Sequence, residues 1–425
     1  MATRATRRLA PPLEHRILVT VTLCLLAFGA VMVYSASSPT GVLSGSSTGT
    51  SEFFTYLLAA ALGLTAMRIC ERRGLELLNQ RMVKLLLFGS FALLLAVMLP
   101  GIGRDVNGAR RWFAFGPLQF QPSELMKLAL VLYVARYMAD HPRRLRGFKQ
   151  AVAPIAVVVA PACLLIVAEP DLGTTLVVLF TVGALMVAAG MPLRYIGAIA
   201  GAVAVLVLLL VLASAYQRTR LLSFLHPWAA SCKSGPCYQA VQGQIAVGSG
   251  GLFGVGLGKS VQAFYLPEAQ TDFILALIGE ELGVLGILGV ACLYGMLAFA
   301  GLRTARRATT RYAKLLASGL TSLILCQGIL NIFVVLGIAP LTGVPLPFIS
   351  YAPTNLCMML VAVGLLLGIA RPPARELRSV DDGGGSRQVV DERDGRAGGA
   401  TNSDRRGRYG GARGAGAGGR RGAAN

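Results

Sequence analysis

Residues 172–213 read LGTTLVVLFTVGALMVAAGMPLRYIGAIAGAVAVLVLLLVLA, and Arg194 is the one charged side chain among them. A helix needs about 20 apolar residues to cross the hydrocarbon core of a bilayer. The stretch is long enough for two crossings. Gly190-Met191-Pro192 supplies the turn between them, since Gly and Pro favour a break in a helix.

Working outward, similar runs occupy 17–36, 53–70, 82–100, 123–139, 151–168, 172–190, 193–213, 273–301, 314–337 and 354–370. This pattern predicts an all-α polytopic membrane protein of ten transmembrane helices. Composition agrees: 54% of the 425 residues are hydrophobic, 14% are charged and mean hydropathy is +0.62. A soluble domain carries about 25% charged residues, so a soluble globular enzyme, a coiled coil and a mainly disordered chain are excluded. The first span reads as retained rather than as a cleaved signal peptide, because no small-residue cleavage site ends it and further spans follow directly.

Orientation follows from the positive-inside rule. Segments 1–16, 71–84, 140–150, 191–194 and 302–314 hold 18 Lys and Arg, whereas the alternate short loops 37–52, 101–122, 168–171 and 338–353 hold three. Both termini are therefore expected in the cytoplasm. The expected division is a basic segment 1–16, a ten-helix domain 17–370 and a tail 371–425. One large extracytoplasmic loop, 214–272, joins spans 7 and 8. It has aromatics and glycine turns and is expected to fold over the outer face. The tail holds 14 Gly, 12 Arg and 7 acidic residues. That composition cannot bury a core, and it reads as a solvated segment near anionic lipid rather than a nucleic-acid binder.

The formal charge of +20 names an anionic partner without identifying it. The informative cations are those where the orientation rule expects few: Arg110 and Arg111 in the outer loop, and Lys127 just inside span 4. With Pro122 and Ser123 starting that span, Glu124 falls in its first turn and shares a face with Lys127. The two form either a satisfied ion pair or, with the arginines, part of a phosphate clamp. Glu169-Pro170-Asp171 puts two carboxylates in one short outer turn, where Asp171 can cap span 6 and Glu169 has no such role. Glu268 and Asp272 stand where the long loop re-enters the membrane. Asp272 reads either as the N-cap of span 8 or as a general base at a lipid–water boundary. Glu280 and Glu281 lie about 12 Å further along a continuous helix and must pair, protonate or face a polar cavity.

Six cysteines lie in or beside spans and read as apolar packers. Cys232 and Cys237, separated by Lys-Ser-Gly-Pro on the oxidising side, read as a local disulfide. His226 cannot complete a zinc site with them. The run Gly248–Lys259 does not have P-loop spacing, and it reads as permissive backbone turning near the membrane.

Several motifs occur in order along these segments. They are Asn107-Gly108-Ala109-Arg110-Arg111-Trp112, Gln121-Pro122-Ser123-Glu124, Glu169-Pro170-Asp171-Leu172-Gly173-Thr174, Tyr238-Gln239 and Gly250-Gly251-Leu252-Phe253-Gly254. Further on come Thr271-Asp272-Phe273-Ile274, Gly279-Glu280-Glu281-Leu282-Gly283 and Pro345-Leu346-Pro347-Phe348-Ile349-Ser350-Tyr351. Together, over about residues 15–370, they resemble the SEDS (shape, elongation, division and sporulation) family of peptidoglycan glycosyltransferases. Val33-Tyr34-Ser35-Ala36-Ser37 and the long tail are more similar to its cell-division branch than to its elongation branch.

The resemblance implies an inverting polymerase of lipid II on the outer face of the bacterial cytoplasmic membrane, at the division septum. Asp272 is its general base. Arg110, Arg111 and Lys127 face the diphosphate, and Glu124, Glu169, Asp171, Glu268 and Ser350 complete the substrate site. The resemblance implies no tightly bound cofactor and allows an assisting divalent cation (Mg2+ or Mn2+), for which the sequence displays no ligand cluster. The implied partners are a class B penicillin-binding protein and other divisome membrane proteins. Two departures stand out: Gln270 where the family has His, and Ala352-Pro353-Thr354-Asn355 where it has Gly-Gly-Ser-Ser. The competing readings are a lipid II flippase and a non-catalytic division scaffold.

Overall fold

The computed structural model describes residues 12–43, 50–106, 109–115, 118–213 and 237–371, with 218, 224, 227–229 and 235. The tail beyond 371, most of 214–236 and Cys232 lie outside the described residues. Ten long helices coincide with the ten apolar segments. They are α1 (Leu13–Leu43), α2 (Thr50–Leu77), α3 (Gln80–Met98), α4 (Pro122–Asp140), α5 (Phe148–Ala168), α6 (Leu172–Ala188) and α7 (Leu193–Ala213). After the shorter α8 (Tyr238–Ser249) come α9 (Ile274–Arg307), α10 (Arg311–Val335) and α11 (Pro353–Ala370). Seven of the ten are long and apolar enough to cross a membrane. Of the others, α6 has 17 residues, and α4 carries Glu124, Lys127, Arg136 and Asp140.

The helix ends follow local chemistry. Between α6 and α7, Gly190 takes φ 82° while Gly190 N–H and Met191 N–H donate to Val187 O and Met186 O. A left-handed glycine closing the last carbonyls is the usual C-terminal stop, and it makes the expected break. Pro122 opens α4 at a position whose N–H has no helical partner. Asn79 and Thr310 cap α3 and α10 through their side chains.

The loop between α3 and α4 departs from the purely helical expectation. It forms a three-stranded antiparallel sheet of β1 (Arg104–Val106), β2 (Ala109–Phe115) and β3 (Leu118–Phe120), in that order. Phe113 lies opposite Phe120 across β2 and β3.

Helix ends gather into two groups. At one end Glu14 pairs with Arg303 and Arg307, and Glu71 with His15, Arg68 and Arg371. Apart from Arg68, near the end of the run 53–70, these belong to the segments that charge counting places inside, together with the start of the tail. At the other end the loops 101–122, 168–171, 237–272 and 338–353 bond to one another, and this end carries the candidate site.

Helix α9 is not continuous. Gly283 has φ 69° and ψ −164°, a conformation open in practice only to glycine. The break leaves carbonyls before it and N–H groups after it without helical partners. The glycine-rich loop takes them up. Val255 and Gly256 N–H donate to Glu280 and Glu281 O, and Val284 and Leu285 N–H donate to Gly251 and Leu252 O, at 2.9–3.3 Å. A Cβ on Gly250 would meet Gly279 O at 1.9 Å, and one on Gly254 would meet Glu281 O at 2.1 Å. The glycines thus serve close backbone approach at a broken helix, which sharpens the reading of this run as permissive backbone. Residues 284–307 still give about 36 Å of helix.

Candidate active site

The site end is organised by an irregular segment that enters the bundle. Leu346, Phe348, Ile349 and Ser350 are at most 2% exposed, and Pro345 and Pro347 have no N–H to give a ladder. Buried carbonyls must still be matched. Four are matched by side chains from three helices. Asn331 Nδ2 donates to Val344 O (2.8 Å), Gln327 Nε2 to Pro345 O (2.9 Å), Tyr294 OH to Pro347 O (2.5 Å) and Tyr56 OH to Phe348 O (2.6 Å). Ser350 Oγ accepts from Leu346 N–H at 2.8 Å. This expected substrate ligand is therefore buried and holds its own turn.

Glu124 and Lys127 form the ion pair that their spacing suggested, Oε1 to Nζ 2.9 Å. Both are buried, at 2% and 1% exposure. Gln327 Oε1 accepts from Lys127 Nζ at 2.8 Å, and Asn355 Nδ2 donates to Glu124 Oε2 at 2.7 Å. Lys127 does not stand with the arginines as a surface clamp. Its place five residues beyond Pro122 carries it into the bundle, where its charge is matched.

Arg110 is exposed on β2. Arg111 sits at a β-bulge, where Arg104 faces Trp112 and Asp105 faces Arg110. Bulges re-aim side chains. Its guanidinium donates to Glu169 O (2.6 Å) and Pro170 O (2.8 Å), which fastens the sheet to the α5–α6 turn.

In that turn Asp171 does cap α6, accepting from Thr174 N–H at 3.0 Å, and it also accepts from Gln121 Nε2 at 3.3 Å. The Glu169 carboxyl is buried, and neither oxygen has a hydrogen-bond partner among the described residues. Burial, with Asp171 nearby and only partly offset by Arg111, pushes it up to about 8, so it is largely protonated at neutral pH.

Asp272 does not cap α9. The N-cap position is Phe273, without a side-chain cap bond. Asp272 is half-buried. Its Oδ1 accepts from Thr271 Oγ1 at 3.2 Å, and its backbone oxygen accepts from Asn331 Nδ2 at 2.7 Å. Glu268 is exposed and accepts from Thr271 Oγ1. A Cβ on Gly173, at the start of α6, would meet Thr342 O, and one on Gly343 would lie 3.9 Å from Asp272 Oδ2. Asp272 and the start of α6 therefore both approach the 342–343 backbone.

Glu280 and Glu281 meet partners rather than an open cavity. Glu280 accepts from Ser260 Oγ and from Val261 and Gln262 N–H, and Glu281 accepts from Ser35 Oγ near the site end of α1. Gln270 donates to Glu52 at 3.4 Å, and its backbone oxygen accepts from Tyr351 N–H. Thr354 Oγ1 donates to Gln119 O. With Asn355, the Ala352–Asn355 departure thus ties α11 to β3 and α4.

Sequence reasoning missed Gln327, Asn331, Tyr56 and Tyr294. Gln327 and Asn331, four apart in an otherwise apolar span, are the signal that could have revealed two of them. Cys237 is disulfide-bonded, while Cys24, Cys70, Cys163, Cys292, Cys326 and Cys357 are free.

Residues 15–374 match the family model described as cell cycle protein, FtsW/RodA/SpoVE. Stage V sporulation protein E of Bacillus subtilis is 39% identical over 375 residues, covering 86% of this chain and 98% of that protein. The probable peptidoglycan glycosyltransferase FtsW of Coxiella burnetii is 39% identical over 364 residues, covering 83% and 95%. The fold is similar to a chain from work on coordination of polymerization and crosslinking by a peptidoglycan synthase complex. There the TM-score is 0.68 at 31% identity, covering 83% of this chain and 96% of that one. It is also similar to the rod shape determining protein RodA of Thermus thermophilus, with TM-score 0.60 at 28% identity, covering 85% and 97%. Matched over nearly the whole length of these relatives, the chain belongs to the FtsW/RodA/SpoVE family of cell cycle proteins.

Proposed function

We propose that this chain, a peptidoglycan glycosyltransferase by its family, polymerises lipid II at the outer face of the cytoplasmic membrane during septal wall synthesis. In this reading ten helices span the membrane with both termini inside, and the site end faces outward. Asp272 accepts the proton of the acceptor GlcNAc 4-hydroxyl. The freed oxygen attacks the anomeric carbon of the donor MurNAc with inversion, and undecaprenyl diphosphate leaves with the electron pair of the broken C–O bond.

The supporting observation is the setting of Asp272: half-buried, not spent as a helix cap, and held through its backbone by Asn331. A carboxylate at a wet boundary suits proton abstraction. Diphosphate neutralisation falls to Arg110 and Arg111 at the rim. Lys127, Glu124 and Ser350 hold the scaffold beneath, and Glu268 lies on the acceptor side. Glu169, protonated, limits negative charge beside the leaving group. A divalent cation, Mg2+ or Mn2+, would add to that neutralisation when bound with the diphosphate; among the described residues no group of three or more His, Cys, Asp or Glu could hold a metal ion. The expected partners are a class B penicillin-binding protein and other division membrane proteins.

The test is lipid II polymerisation by the purified chain with its penicillin-binding partner, wild type against Asp272→Ala. Glycan strands from the wild type and none from the variant support the reading. Equal polymerisation by both sinks the role of Asp272. Lipid II translocation without polymer would instead favour transport, for which the buried Glu124–Lys127 pair is the relevant feature.

A further inference from the structure

We propose that Asn331 is a positioning residue for the glycosyl transfer, setting Asp272 through its backbone and through the segment beside it. The inference rests on the reading of Asp272 as general base.

Asn331 lies near the site end of α10 and is 2% exposed. Both hydrogens of its amide are spent on backbone. One goes to Asp272 O at 2.7 Å, the other to Val344 O at 2.8 Å. Asp272 stands one residue before the N-cap of α9, outside the helical ladder, so regular structure does not hold its carbonyl. Gly343 passes alongside, and a Cβ built there would lie 3.9 Å from Asp272 Oδ2. The same amide therefore locates the base and the wall next to it. One turn back on α10, Gln327 holds the next carbonyl, Pro345 O, and accepts from Lys127 Nζ. The face of α10 carrying these two amides fixes the 344–345 backbone against both the base and the buried ion pair.

A polar side chain inside an apolar span is costly unless its bonds are made. Asn331 leaves its own Oδ1 buried without a hydrogen-bond partner among the described residues. Packing alone would be served by Leu, which has a similar volume and no such penalty. The retained amide is explained by what its two N–H groups hold.

The experiment uses the full chain with its penicillin-binding partner and lipid II, comparing wild type, Asn331→Leu, Asn331→His and Asp272→Ala. A misplacement of about 1 Å costs about 100-fold in rate. Asn331→Leu, which donates nothing, is expected to lower kcat about 100-fold with KM within about threefold. Asn331→His, which can donate one N–H, is expected about midway on a logarithmic scale, about tenfold below wild type. Should the Leu variant fail to fold, the His variant carries the same split of kcat from KM. Wild-type kcat in either folded variant overturns the inference, as does a rise in KM that accounts for the lost activity. If Asp272→Ala polymerises at the wild-type rate, the reading of Asp272 fails instead, whatever the Asn331 variants do.

Discussion

Two stretches of irregular backbone enter the helical bundle, and they are satisfied by opposite means. At the α9 break, the glycine-rich loop and the interrupted helix exchange backbone bonds: Val255 and Gly256 N–H to Glu280 and Glu281 O, and Val284 and Leu285 N–H back to Gly251 and Leu252 O. At 344–348, the carbonyls are taken by Asn331, Gln327, Tyr294 and Tyr56 side chains. Backbone in an apolar medium must be paired by one route or the other. The first route excludes side chains at the contact and so places its demand on glycine. The second places its demand on a few polar side chains buried in neighbouring helices. The first leaves Glu280 and Glu281 bonded to Ser260 and Ser35, whereas the second puts polar groups directly beside Asp272.

The largest expected effect attacks the first route. Gly283→Ala would hold an L side chain at φ 69°, with its Cβ 2.5 Å from Leu252 C and O. A loss above about 4 kcal/mol is expected, read as failure to recover folded protein in detergent. A stable Gly283→Ala protein would show that α9 can run straight. Lys127→Met attacks the second route. It leaves Glu124 buried without its cation, for a loss of about 3 kcal/mol. Replacing Glu124 as well, by Gln, should recover much of that loss in the melting temperature, and additive losses would contradict the pairing. Tyr294→Phe removes only the donor to Pro347 O and should cost about 1–2 kcal/mol. An unchanged melting temperature would mean that this carbonyl finds another partner.

The contrast also explains what the sequence made readable. Long apolar runs reveal helices because burial in lipid needs nothing else, and the Gly190–Pro192 turn announces itself by composition. The ion pair of Glu124 and Lys127 is readable because three residues on a helix put two side chains on one face. The break at Gly283 is not, because Leu282-Gly283-Val284 continues an apolar helix and only the partner loop makes a positive φ affordable. The 345–350 dip is equally hidden, since its partners lie on α2, α9 and α10, far away in sequence. Lys127 could be placed on its helix but not at its depth, so its apparent kinship with Arg110 and Arg111 did not survive in three dimensions. The sheet was missed because β1 and β3 are three residues each, too short for a period to show.

Glu169 provides the finest test, because there side-chain satisfaction is incomplete. Arg111 takes the carbonyls of Glu169 and Pro170, while the buried Glu169 carboxyl has no hydrogen-bond partner among the described residues. Its folded value, pushed up to about 8 from 4.5, means that the folded state keeps a proton the unfolded chain has released. Stability from this group is present below the unfolded value and is lost as pH rises through the folded one. Its contribution should fall by up to about 1.4 kcal/mol per pH unit between pH 5 and 8, levelling off above. Glu169→Gln, neutral throughout, should remove that slope from the melting temperature and leave the variant more stable than wild type at pH 8. Identical slopes in both proteins would mean that Glu169 ionises normally, and that the α5–α6 turn satisfies the carboxylate as completely as the 344–348 segment satisfies its carbonyls.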